Sequence, residues 1–194
     1  MKWFKFDIRD FNDTEYEYWF SLMSEEKQKH TASFKNINDK KRTVAGEMLA
    51  KKGIAECFNI SPESIIISAN ETGKPFAQNL KIEFNISHSE NMIVCAINDT
   101  PVGIDIEKIR KVDLAIAKRI CNSSELEYLF GFAPTSEDFR VTEDREIQLR
   151  FFELWTAKEA YAKFLGKGLA SISLPIMPVE KYIIDNEYLI SIYK

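Results

Sequence analysis

Apolar residues recur along the chain with two distinct spacings, and each spacing predicts one kind of element. A spacing of three or four residues indicates a helix with one apolar face, whereas alternation indicates a strand with one buried face. Helices are expected at 14–23, from 25 onward, at 39–58, at 114–130 and at 146–165. Strands are expected at 3–7, 65–67, 81–87, 92–97, 102–107, 172–174 and 188–193. This mixture predicts an α+β fold.

Short connections limit how the middle strands can pair. The strands expected over 81–107 are joined by only three and four residues, too few for a helical crossover, so an antiparallel meander is expected. Gly73-Lys74-Pro75 has the chemistry of a turn, and the polar segment 131–145 is expected to be a surface loop. Gly166-Lys167-Gly168 is expected to end the last long helix.

The size of the chain allows one compact domain or two small halves that share an interface. It has 194 residues, 45% of them hydrophobic, and a chain of this size buries about 70% of its surface on folding. Helices and strands occur on both sides of residue 100, so two α+β halves are expected, 1–100 and 101–194. The wide distribution of large apolar and aromatic residues excludes a disordered chain.

Composition also excludes several classes of protein. No apolar run approaches the ~18 residues of a membrane helix, and the alternation of charged and aromatic residues at the N-terminus does not resemble a secretory signal. The three cysteines form no CxxC pair, which predicts neither a disulfide framework nor a zinc site. The net charge of −4 argues against nucleic-acid binding. We expect a cytoplasmic protein without membrane or nucleic-acid partners.

Two carboxylates project from the same face of the strand expected at 102–107. Residues two apart on a strand share a face, so Asp105 and Glu107 point together while Ile104 and Ile106 face the core. Hard oxygen ligands of this kind suit Mg²⁺, which takes few protein carboxylates and completes its shell with water and phosphate. A solvated acidic face on an amphipathic strand is the alternative interpretation.

The helix expected at 146–165 carries a charged pair one turn apart. Glu159 and Lys163 stand at positions i and i+4, the commonest arrangement of a surface ion pair on a helix. The pair also borders large aromatic residues and follows the carboxylate-bearing strand along the chain. This pattern alone does not distinguish a surface ion pair from a catalytic pair.

Residues suited to phosphate cluster earlier in the chain. His88 ends a predicted strand between two hydroxyls, Ser87 and Ser89, which favours either an oxyanion ligand or a core histidine. Residues 27–42 contain six Lys and Arg but only one acidic residue. The resulting positive electrostatic potential would suit a polyphosphate ligand. Arg42 and Thr43 are also expected near a helix start, where free backbone amides favour anions. A solvated basic helix face is the alternative.

These elements together resemble one family. Gly73-Lys74-Pro75, the segments 84–89 and 103–107, and Trp155-x-x-Lys158-Glu159-Ala160-x-x-x-Lys163 match the Sfp-like 4′-phosphopantetheinyl transferases in order and spacing. The resemblance extends from about Ser24 to Gly168. It implies two similar α/β halves with small, mainly antiparallel sheets, related by a pseudo-twofold axis, with coenzyme A bound in the cleft between them.

The resemblance also implies a reaction and a set of site residues. Phosphopantetheine would pass from coenzyme A to a serine of an apo carrier protein, releasing adenosine 3′,5′-bisphosphate. Asp105, Glu107 and Glu159 would hold Mg²⁺ (or Mn²⁺); Glu159, directly or through a metal-bound water, would take the serine proton, and Lys163 would neutralise or protonate the leaving group. With Lys163, the coenzyme A contacts implied by position are Lys27, Arg42, Thr43, Gly73, Lys74, Pro75, Ser87 and His88.

Two other functions stay open on the sequence. One is a coenzyme A- or nucleotide-binding module without turnover, and the other is a Mg²⁺-dependent phosphodiester hydrolase. Chain length favours the one-chain form of the family, so a monomer is expected. The identity of the carrier protein does not follow from the sequence.

Overall fold

The chain folds into two compact units, each with helices and small antiparallel sheets. The structure, a computed structural model, describes residues 1–71, 73–166 and 179–194. The first unit is Met1–Val102 and the second is Gly103–Lys194. The expected α+β fold with small antiparallel sheets is confirmed.

The first unit packs a long helix across a three-stranded sheet. Strand β5 lies between β1 and β4 and is antiparallel to both, while β2 and β3 form a separate hairpin. Every residue of β5 is buried, and α3 packs against it. The elements are β1 (Lys2–Asp7), α1 (Asp13–Ser21), α2 (Glu25–Ser33), α3 (Ile37–Phe58), β2 (Ile67–Ala69), β3 (Pro75–Ala77), β4 (Glu83–Ser89) and β5 (Met92–Asn98).

Side-chain caps set the helix boundaries of this unit. Asn12, Ser24 and Asn36 each accept a hydrogen bond from a backbone N–H in the first turn of α1, α2 and α3, respectively, which satisfies donors that a helix start leaves open. Asn59 adopts a left-handed conformation with φ 53° and ends α3, as helices commonly end. The helices and the first strand expected in this unit are therefore confirmed to within a few residues.

The second unit packs helix α6 on a three-stranded antiparallel sheet. Strand β10 lies between β6 and β9; α6 packs against β6 and β10, and α5 packs against α6. The elements are β6 (Gly103–Lys108), β7 (Val112–Asp113), α4 (Ala117–Ile120), α5 (Ser123–Phe130), β8 (Val141–Thr142), α6 (Arg145–Phe164), β9 (Glu180–Ile184) and β10 (Tyr188–Tyr193).

The predicted three-stranded meander is wrong in its last strand. β4 and β5 do pair antiparallel, but β6 pairs with β10, a strand more than 80 residues further along the chain. The reason is that β1 and β4 already occupy both edges of β5. A short connection excludes a crossover, but it does not force the next strand into the same sheet.

Three further segments differ from expectation. The helix expected at 114–130 is interrupted at 121–122, because Asn122 and Glu125 form a capping box that starts a new helix, α5. The strand expected at 65–67 is displaced to β2, with Ile65 buried before it and Ile66 exposed. The predicted loop 131–145 contains β8, which pairs with β7.

The end of α6 falls near the limit of the described residues. The helix ends at Phe164 and is followed by Gly166 with φ 64°, consistent with a glycine stop. Lys167, Gly168 and the strand expected at 172–174 lie outside the described residues. None of the described helices combines the length and the apolar composition needed to cross a membrane.

We predict that Gly103→Ala destabilises the second unit. A methyl group at Gly103 would stand 1.9 Å from the carbonyl oxygen of Ala160 and 2.6 Å from the amide nitrogen of Phe164, so α6 would have to move away from β6. Overpacking of this kind costs about 1–3 kcal/mol or more. Urea denaturation measures the change.

Gly46→Ala is the matched control in helix α3. Its new methyl group would lie 3.2 Å from the Ile86 side chain, which can adjust, and alanine favours a helix by about 0.8–1.0 kcal/mol over glycine. We expect stability close to that of the original protein. Equal stability of the Gly103 and Gly46 variants would contradict the close packing of α6 on β6.

Candidate functional site

Asp105 lies inside the second unit, under α6, and not on a solvated face. It is 5% exposed, and Lys163 Nζ lies 2.8 Å from its Oδ1 and 3.3 Å from the carbonyl oxygen of Ile104. This contact excludes a solvated acidic face at Asp105. It also shows that Lys163 contacts β6, so its role is not limited to a surface ion pair with Glu159 on the same helix.

The charges of these groups change the pKa of Glu159. Burial, and after it the negative charge of Asp105, raises the pKa of Glu159 to about 7; the charge of Glu107 adds to the rise, and Lys163 opposes it. An ordinary glutamate ionises near 4.3. Glu159 therefore lies within electrostatic reach of Asp105, Glu107 and Lys163.

The donor chemistry of this cluster fits a hard divalent cation. A cation placed among neighbouring carboxylates stabilises their charged forms, and Mg²⁺ binds through carboxylate oxygens. In the part of the chain that the structure describes, however, no three His, Cys, Asp or Glu side chains are already arranged as a metal site. The Lys163 ammonium supplies positive charge at Asp105 instead, and the ligand set Asp105, Glu107 and Glu159 stays a prediction.

Two buried polar contacts hold α6 in place beside this cluster. Thr156 Oγ1 lies 2.7 Å from Ser191 Oγ on β10, and Thr156 itself donates to the carbonyl of Phe152, so Ser191 is the donor of the pair. Lys158 Nζ lies 2.8 Å from Glu125 Oε1 on α5. Ser191 stands opposite Asp105 in the register of β10 and β6.

Glu125 and Ser191 belong to this region but are not among the residues that the sequence predicts for it. Glu125 carries a sequence signal, since Asn122-x-x-Glu125 before an apolar run is the pattern of a capping box, but that pattern does not reveal its ion pair with Lys158. Ser191 is one polar residue in an apolar strand, and nothing in the sequence indicates its partner on α6.

In the first unit, Arg42 connects the start of α3 to the end of β4. Its Nη1 donates to the carbonyl of Glu90, 2.8 Å away, in the turn between β4 and β5. Ser87 and His88 lie just before that turn on β4. His88 is exposed, so it is not the core histidine that the sequence left open.

The other predicted phosphate contacts of this unit lie on α2 and α3. Thr43 donates to the carbonyl of Asp39, 2.9 Å away, and Lys27 is exposed on α2. Burial raises the pKa of Glu47, while the charges of Lys51 and Lys27 lower it. The positive charge of Lys27 therefore acts on Glu47 of α3, which stands one turn after Thr43.

Gly73, Lys74 and Pro75 lie beside a cavity in the first unit. Gly73 has φ 81°, its amide donates to the carbonyl of Asn70, and the Lys74 amide donates to the Asn70 side chain. The expected turn is present, with Pro75 already the first residue of β3. A cavity of about 400 Å³ is lined by Asn70, Lys74, Pro75, Phe76, Ile82, Glu83 and Phe84.

Comparison with known proteins places both units in one family. Residues 11–100 match the family described as 4′-phosphopantetheinyl transferase, N-terminal. Residues 101–186 match the family described as 4′-phosphopantetheinyl transferase superfamily.

Individual relatives support the same assignment. The chain is 39% identical over 175 residues to the 4′-phosphopantetheinyl transferase gsp of Aneurinibacillus migulanus, covering 90% of this chain and 67% of the relative. It is 37% identical over 150 residues to psf-1 of Bacillus pumilus, covering 77% and 60%. It is 34% identical over 170 residues to Sfp of Bacillus subtilis strain 168, covering 87% and 70%. The chain therefore belongs to the 4′-phosphopantetheinyl transferase family, in its Sfp-like form, as its motifs predict.

Proposed function

We propose that this chain transfers the 4′-phosphopantetheine group of coenzyme A to a serine of an apo acyl or peptidyl carrier protein, with Mg²⁺ as cofactor. The observation that carries the proposal is the cluster of three carboxylates and Lys163 in the second unit, in a chain of this family. The relatives are named for the phosphopantetheinyl transfer. Coenzyme A, Mg²⁺ and the carrier protein belong to the proposal.

The chemistry of the transfer needs alignment and charge neutralisation more than covalent participation by the protein. The serine oxygen attacks the phosphorus that carries the pantetheine arm, and the bond from that phosphorus to the bridging oxygen breaks. Adenosine 3′,5′-bisphosphate leaves with the bonding electrons. The protein must accept the serine proton and stabilise the negative charge of the leaving group.

Glu159 is suited to accept the serine proton. A general base works best when its pKa is near the working pH. Without a metal, burial and the charges of Asp105 and Glu107 raise the pKa of Glu159 to about 7, and a bound Mg²⁺ would lower it. Lys163 carries the positive charge that the departing bisphosphate requires. Mg²⁺ held by Asp105, Glu107 and Glu159 would neutralise charge on the pyrophosphate.

The first unit offers groups for the adenosine end of coenzyme A. Lys27, Arg42, Thr43 and His88 are cationic or hydroxyl groups suited to phosphate. The turn at 73–75 borders the cavity described above, where an adenine ring would find apolar surface. The cytoplasmic location and the monomeric state stay predictions.

A mass measurement on the carrier protein tests the proposed function. With coenzyme A, Mg²⁺ and an apo carrier, we expect the carrier to gain the mass of one phosphopantetheine group, and a carrier whose acceptor serine is replaced by alanine to gain nothing. Asp105→Asn should keep the fold and lose most of the transfer at limiting Mg²⁺, because the site loses one carboxylate charge. Release of adenosine 3′,5′-bisphosphate without a modified carrier would indicate a hydrolase, and coenzyme A binding without turnover would indicate a binding module.

A second prediction concerns the charge coupling within the cluster. In protein free of divalent cations, Asp105→Asn should lower the pKa of Glu159 from about 7, because a negative neighbour is removed. Lys163→Met should raise that pKa, because a positive neighbour is removed. Carbon-13 NMR of labelled glutamate over the pH range follows the titration. Identical titrations of Glu159 in all three proteins would show that these groups do not interact.

A further inference from the structure

Lys158 is a charged residue of the α6 motif for which the proposed reaction has no role. Its side chain is 4% exposed and pairs with Glu125, whose side chain is 3% exposed. Removing two charges from water is costly, and a buried ion pair is often no more stabilising than apolar residues of the same volume. The stability of the fold alone therefore does not account for a buried ion pair at this position.

The location of the pair suggests another explanation. Successive helix residues are rotated by about 100°, so Thr156 and Lys158 project from nearly opposite sides of α6. Thr156 contacts Ser191 on the sheet side, and Lys158 contacts Glu125 on the α5 side. Contacts on two opposite sides fix the rotation of the helix about its own axis, and that rotation decides where Glu159, the next residue, points.

Glu125 is itself held rigidly. Its Oε2 accepts a hydrogen bond of 2.9 Å from the amide of Asn122, whose side chain accepts one of 2.9 Å from the amide of Glu125. Since this capping box also fixes the start of α5, Lys158 is connected to a defined point of the backbone and not to a mobile side chain.

We propose that the Lys158–Glu125 ion pair is a positioning element of the carboxylate site, which orients Glu159 toward Asp105 and Glu107. Lys158 acts through the rotation of α6 and does not touch the substrate. The inference rests on the proposed function in that the site it orients is the proposed Mg²⁺ site. Groups of this kind, one layer away from the ligands, typically contribute about 10–100-fold to metal affinity or activity.

A double variant separates positioning from stability. Lys158→Met alone leaves Glu125 buried without its ammonium partner, so its melting temperature should fall. Lys158→Met with Glu125→Gln removes both charges but keeps an acceptor for the Asn122 amide, so the melting temperature should recover. We expect the recovered double variant to bind Mg²⁺ about ten-fold more weakly by calorimetry. Its kcat should fall while its KM for coenzyme A stays constant.

The control is an exposed ion pair of the same unit. Lys111 pairs with Glu143, and their side chains are 61% and 76% exposed, so Lys111→Met with Glu143→Gln should leave Mg²⁺ affinity unchanged. If the Lys158 double variant does not fold, Glu125→Asp takes its place in the test. The shorter aspartate keeps both charges of the pair but moves the carboxylate that accepts from Lys158. This variant should also bind Mg²⁺ more weakly than the original protein.

The outcomes distinguish this inference from the proposed function. If the folded double variant keeps the Mg²⁺ affinity and the kcat of the original protein, the ion pair only stabilises the fold. The same conclusion follows if Glu125→Asp, used in its place, keeps the original Mg²⁺ affinity. In that case Mg²⁺-dependent transfer by the original protein would still support the proposed function. Failure of the original protein to bind Mg²⁺ would overturn both proposals.

Discussion

The close approach of α6 to β6 is the constraint on which the candidate site depends. Gly103 allows it, because any side chain there would collide with the backbone of Ala160 and Phe164. One consequence is that α6 covers Asp105, which the alternation of the strand alone would have left at the surface. The other is that Lys163, near the end of the helix, lies against Asp105 and the carbonyl of Ile104.

Because α6 covers the carboxylates of the site, their negative charges are less stabilised by water and must be balanced by neighbouring groups. Burial and like charges disfavour ionisation of Glu159, and Lys163 favours it. A proton, an ammonium group or a divalent cation can each balance these carboxylates. In the proposed reaction, this arrangement would supply a base, a cationic group beside it and a set of hard oxygen ligands, which are the groups that phosphoryl transfer requires.

The sequence predicted the residues of this cluster but not its depth in the fold. Alternation around Asp105 and helical spacing around Lys163 are local patterns, so they could be identified without coordinates. The burial of Asp105, the Thr156–Ser191 contact and the Lys158–Glu125 pair depend on elements 33 or more residues apart, and no local pattern records them. The pairing of β6 with β10 is also a contact between distant residues, so the sequence predicts the wrong sheet for β6. The capping box at Asn122 is different: it is a local signal, but the apolar spacing around it favours one continuous helix.

The central claim of the proposed mechanism is that Asp105 and Glu107 on β6 and Glu159 on α6 act together on one divalent cation. The most direct measurement is a crystal structure of the protein with coenzyme A and Mn²⁺, with the metal located by its anomalous scattering. We expect one peak within coordination distance of carboxylate oxygens from all three residues, with Lys163 displaced from Asp105. A peak bound elsewhere, or one that contacts β6 without Glu159, would contradict the claim.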